Sequence, residues 1–166
     1  MSRILLLLFS CMFFLFAGCS SDPYEGVDVE VLNLPSGVAA GVIDNYIVMK
    51  RGEERQIISI SHLADGVRLM NCQDAPVFYA KMQFFKAKTV SVLRIELPPK
   101  DMKLNRYIFR ELDFNKARCG GKPIKVLQLN SVSADGKTLD VDYEITGIYE
   151  RKKGVLDAET LQIQEP

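Results

Sequence analysis

Histidine occurs once in the 166 residues, at His62. With a single imidazole, a zinc site would also have to draw on Cys72, Cys119 and a carboxylate, and no C-x-x-C spacing is present. A hydrolytic triad needs nucleophile, base and orienting acid to meet in space; Ser61 and Asp65 flank His62 in sequence, but nothing in their spacing builds one. A hydrolase using His62 is therefore the least favoured function. Surplus charge is absent too, with 21 basic against 21 acidic residues, so no nucleic-acid or other polyanion partner is implied. There is no internal repeat, low-complexity tract or long linker. Cys119-Gly120-Gly121-Lys122-Pro123 has the glycines of a turn but lacks the Lys-Ser or Lys-Thr ending of a phosphate loop. No cofactor and no metal are expected.

Long apolar runs are also missing. The longest, residues 4–17, is 14 residues and follows one side-chain cation, Arg3. A membrane-spanning helix needs about 20 apolar residues, whereas a run of this length suits the central region of a secretory signal. It ends in the small residues Ala17 and Gly18, directly before Cys19.

The stretch Leu15-Phe16-Ala17-Gly18-Cys19 resembles the lipobox of bacterial lipoproteins, with Phe16 in the place usually held by leucine. The resemblance covers the first 19 residues. It implies diacylglycerol on the Cys19 thiol, cleavage before it, and acylation of the new amino terminus. Several acyl chains, at about 0.8 kcal/mol per buried methylene, anchor a protein without any span. Ser20 after the cysteine resembles the outer-membrane sorting signal of the same family. The expected organisation is a signal peptide over 1–18, a lipidated cysteine with a short tether over 19–26, and one domain over 27–166. The place is the bacterial envelope, on the periplasmic face of the outer membrane if the cell is Gram-negative. Seven tether residues, 20–26, reach roughly 25 Å when extended.

Loss of residues 1–18 leaves 148 residues, one domain's worth, with 20 basic against 21 acidic side chains. Cys11 leaves with the signal and Cys19 is committed to lipid, so Cys72 and Cys119 remain as a pair in an oxidising compartment. A disulfide between them is expected, closing a loop of nearly 50 residues and contributing about 4 kcal/mol.

Alternation of apolar and polar residues predicts strands throughout the domain. Val27-Asp28-Val29-Glu30-Val31 opens it; residues 42–49 and 56–60 flank a charged, glycine-bearing turn at 50–54. Further strands are expected at 67–71, 78–84, 90–97, 107–114, 138–146 and 160–164. In the clearest, Leu139, Val141, Tyr143 and Ile145 alternate with Asp140, Asp142 and Glu144. A three-residue loop, Ala134-Asp135-Gly136, with Gly136 at positive φ sets Leu129 opposite Val141 and Leu127 opposite Tyr143. The three carboxylates could hold a cation, but alternate acids on a half-buried strand are better read as its wet face, balanced by Lys125, Lys137 or neighbouring strands. Short helices near 36–41 or 61–64 are allowed for. The expected class is mainly β, a single antiparallel sandwich or barrel-like domain.

The leading functional expectation is a non-enzymatic module, bound to the membrane through Cys19, that binds an envelope protein in assembly or secretion. A small-ligand or lipid carrier and an enzyme inhibitor are the alternatives. Each rests on the anchor together with missing chemistry, and none on a positive motif.

Overall fold

The computed structural model describes residues 22–24, 26–36, 43–60, 66–84 and 90–164. The fold is mainly β, with strands β1 (Asp28–Pro35), β2 (Ile43–Arg51), β3 (Glu54–Ile60), β4 (Gly66–Asn71), β5 (Val77–Gln83), β6 (Ser91–Glu96), β7 (Ile108–Glu111), β8 (Arg118–Cys119), β9 (Lys122–Val132), β10 (Thr138–Ile145), β11 (Ile148–Asp157) and β12 (Ile163–Gln164). Among the described residues, two single turns of 3-10 helix, Leu104–Arg106 and Phe114–Lys116, interrupt them. The helices allowed for at 36–41 and 61–64 fall almost wholly outside the described residues. Every named strand pairing is antiparallel.

The strands form three sheets, ordered β1-β2-β3, β4-β5-β6-β7 and β12-β11-β10-β9-β8. Turn chemistry sets the hairpins. Arg51 faces Glu54 across a two-residue loop with Gly52 at φ 57°, a left-handed conformation that glycine takes without a Cβ penalty. Gly120 and Gly121, at φ 54° and 76°, make the turn from β8 to β9, and two positive φ angles in a row match the right-handed twist of paired strands.

The middle sheet is buried on both faces. Phe78, Ala80 and Met82 of β5 pack with Ile47, Met49, Ile58 and Ile60 of the three-stranded sheet. Val77 and Tyr79, on the opposite face of the same strand, pack with Leu129, Leu139 and Val141 of the five-stranded sheet. β6 divides likewise, Leu93 and Ile95 to one side and Val92 to the other. Double coverage explains why β5 reads as a nearly unbroken run of buried residues.

The five-stranded sheet curls until its edges meet. Arg118 bridges Gln162 in parallel, and the Arg118 N–H donates to the Leu161 carbonyl at 3.0 Å. Leu161 holds φ 56° with its side chain buried, a conformation costing about 1–2 kcal/mol for a residue with a Cβ. The Asp157 carboxylate supports that turn, accepting the N–H of Glu159 at 3.0 Å and of Thr160 at 2.7 Å.

At the β9–β10 hairpin the structure corrects the expected register in part. Leu129 does face Val141, and Gly136 has φ 68°. However, Ser133 N–H donates to the Thr138 carbonyl, which closes a loop of four residues, 134–137. Bulges at Asn130 and Leu127 then shift the pairing, so that Val126, not Leu127, faces Tyr143. Each bulge inserts one residue without a partner, which keeps Ile124, Val126 and Leu129 all on the buried face.

Candidate functional site

Cys19 and His62 lie outside the described residues, as do Ser61 and Asp65. The described residues begin at Asp22, whose carboxylate accepts the N–H groups of Tyr24 at 3.0 Å and Gly26 at 2.8 Å. The Tyr24 hydroxyl lies 2.9 Å from the carbonyls of both Cys72 and Val77. Burial pushes that hydroxyl up to about 12, with the Cys72 thiol adding to the shift. Tyr24 also packs against the core that β5 shares with the three-stranded sheet.

The expected Cys72–Cys119 disulfide is not formed: both residues are buried, and their sulfurs are not at disulfide distance. Cys72 lies beneath Gly136 and Val77, whereas the Cys119 sulfur is 3.5 Å from the Tyr143 hydroxyl. These surroundings sit toward opposite ends of β10, and the five steps from Thr138 to Tyr143 span about 17 Å. Burial pushes the Cys72 thiol up to about 11; Arg94 opposes the shift and Asp135 adds to it. A thiol held protonated in this way is a poor nucleophile.

Asp142, at the centre of the acidic row on β10, is drawn into the sheet's own network. Asn130 Nδ2 donates to Asp142 Oδ1 at 2.9 Å, and Arg151 Nε to Asp142 Oδ2 at 2.9 Å. Those bonds, from Asn130 first and then Arg151, hold the Asp142 carboxyl below the usual carboxylate range. The balancing cation comes from β11, while Lys137 sits 3.9 Å from Asp135. Among the described residues no group of three or more His, Cys, Asp or Glu is placed to hold a metal ion.

Tyr24, the 72–77 loop and the β9–β10 turn share one end of the fold, tied by the Asp74 N–H to the Ala134 carbonyl at 2.8 Å. At the other end, about 27 Å away along the eight residues of β10, lie the β10–β11 turn and an open groove of about 630 Å3. Leu112, Ile124 and Val126 contribute apolar walls, and Glu111, Asp113 and Lys125 contribute polar ones. The Ser91 hydroxyl donates to Glu111 at its mouth.

On the far side of β10 from this groove, β11 has a free edge. β12 pairs only with Val155 and Leu156, so among the described residues no strand covers the outer side of Ile148–Gly154. Tyr149 at its start is 93% exposed, and Ile148 is 45% exposed. Sequence reasoning missed this strand, because Ile148-Tyr149-Glu150-Arg151-Lys152-Lys153 carries no alternation. The available signal was of another kind: lysine and arginine gathered on a segment with apolar flanks, as on edge strands that must not pair at random.

Comparison with protein-family models, with curated proteins and with solved structures finds no match for this chain.

Proposed function

We propose that the protein is a lipid-anchored component of a bacterial envelope, held through Cys19, that docks another envelope protein and catalyses no reaction. The observation that carries this reading is the polarity of the domain. The chain enters at the Tyr24 end, and the free β11 edge and the groove lie at the other. From Cys19 to Asp22 there are three residue steps, at most about 10 Å of chain, so an acylated Cys19 sets the Tyr24 end against the membrane and turns the Tyr149 end toward the periplasm. A free edge with an exposed aromatic suits an extended partner segment whose main chain adds to the sheet. A small-ligand carrier is less well supported, since the groove is open and its walls are mixed in polarity.

Two measurements test this. Cys19→Ser is expected to leave the chain in the aqueous phase, or uncleaved, on detergent partitioning; a variant that matures and still enters the detergent phase removes the anchor. A photo-crosslinking amino acid at Tyr149 is expected to capture a defined envelope protein in intact cells, while the same group at Asp135 does not. Equal capture from both positions removes the docking assignment.

A further inference from the structure

We infer that the cleft between β4 and β5 is an anion site that takes a phosphate group, held by Arg68 and Lys81. Arg68 and Lys81 stand directly opposite each other on the two strands, an arrangement of like charges that is destabilising when nothing lies between them. The cleft has a volume of about 200 Å3 and is lined by these two residues with Gly66 and Val67. Lys81 is half-buried, and its Nζ donates one hydrogen bond, to the Leu129 carbonyl at 3.0 Å. Its other two donors have no acceptor, and Arg68 no hydrogen-bond or ion-pair partner, among the described residues.

The same face of the middle sheet carries a second pair of opposed cations, and there the protein supplies the counter-charge. Arg94 faces Arg110; Arg94 pairs with Glu96 and donates to the Tyr79 hydroxyl at 3.2 Å. Arg110 lies 3.7 Å from Glu159 and donates to the Ala158 carbonyl at 3.2 Å. One cation pair is neutralised by carboxylates of the chain, while the other opens onto a cleft and has no carboxylate of its own among the described residues. Burial, and then the neighbouring Arg68, lower the Lys81 amine below its ordinary range.

The dimensions and donors select the ligand class. At about 200 Å3 the cleft is smaller than the 300–1,000 Å3 typical of sites for whole small molecules, and it suits one charged group. A guanidinium fork beside an ammonium offers two positive charges and donors in two directions, which match a phosphate dianion better than a carboxylate monoanion. The proposal is independent of the docking reading.

Titration of the full-length chain in non-ionic detergent with orthophosphate, followed by backbone amide resonances, tests it. The expected result is saturable change at Gly66, Val67, Arg68 and Lys81, weakened roughly tenfold or more in Arg68→Gln. Arg68 is exposed, so that variant keeps the fold, whereas Lys81→Gln also loses the bond to the Leu129 carbonyl. sn-Glycerol 3-phosphate is run beside orthophosphate: tighter binding of the ester assigns the phosphate to a larger molecule, and equal binding assigns the site to the free ion. Changes that grow linearly and are as large at Lys122 and Lys153, or that are the same in Arg68→Gln, overturn the proposal.

Discussion

A methyl group built onto Gly136 meets the sulfur of Cys72 at 2.9 Å. The hairpin turn and the 72–77 loop thus fit together only because one of them has no side chain. Gly136→Ala combines that contact with a φ of 68°, which costs a residue with a Cβ about 1–2 kcal/mol. The expected outcome in urea unfolding is a loss larger than that strain alone. In the Cys72→Ala background the loss shrinks toward it, because the opposing sulfur is gone. Additive effects of the two substitutions would show that the contact carries no energy.

The Cys72 thiol gives the domain an alkaline limit. Its folded value is raised from 9.0 to about 11, so in that window the unfolded chain releases a proton that the folded chain keeps, and stability falls as pH rises. Urea midpoints are expected to hold steady below pH 9 and to decline between 9 and 11, with Tyr24, raised from 10.0 to about 12, extending the decline. Cys72→Ala should remove the earlier part of it. An unchanged alkaline profile in that variant would show that other groups set the limit. Thiol reagents should modify neither Cys72 nor Cys119 until the chain unfolds.

Tyr79 and Tyr149 make opposite demands on a hydroxyl. Tyr79 is fully buried; it donates to the Gly136 carbonyl at 2.6 Å and accepts from Arg94 Nε. Tyr79→Phe leaves a buried carbonyl and a guanidinium N–H unpaired, and a loss of about 1–3 kcal/mol is expected on denaturation. Tyr149→Phe, at a side chain 93% exposed, should change stability by less than about 0.5 kcal/mol. Similar losses in the two variants would refute the assignment.

At the acidic end of the scale the sign reverses. Asp142, Asp135 and Asp157 are all held below 3.8 in the folded chain by hydrogen bonds to their carboxylates. Their contribution is complete above pH 3.8 and is lost as pH falls through the lower folded values. Asp142→Asn should destabilise the domain near neutrality and flatten its acid unfolding limb. A variant whose acid limb matches the parent would show that the Arg151 and Asn130 contacts do not stabilise the charge.

Much of the architecture was legible where a strand has one wet face. Leu139 to Ile145 alternates cleanly, and β10 was placed to within a residue; β1, β2 and β3 follow the same pattern. Three kinds of feature escaped. β11 is exposed on both faces over its first half, so no period marks it. The bulges at Asn130 and Leu127 depend on how β9 curls, and no local residue signals them. The expected disulfide followed from counting thiols, whereas Cys72 and Cys119 are placed by packing under Gly136 and Tyr143. For the candidate sites, charge composition averaged away Arg68 and Lys81, because their meaning lies in cross-strand register.

The middle sheet, covered on both sides, also sets how the molecule breathes. Detaching β1–β3 exposes Phe78, Ala80 and Met82 but leaves the Tyr79 face sealed against the five-stranded sheet. Amides of β1 and β3 can therefore exchange with solvent through a partial opening. Those in the centre of β5 keep one covered face in every partial opening and exchange through global unfolding. The domain is thereby divided into an outer layer of lower opening energy and an inner pair of sheets that share one fate.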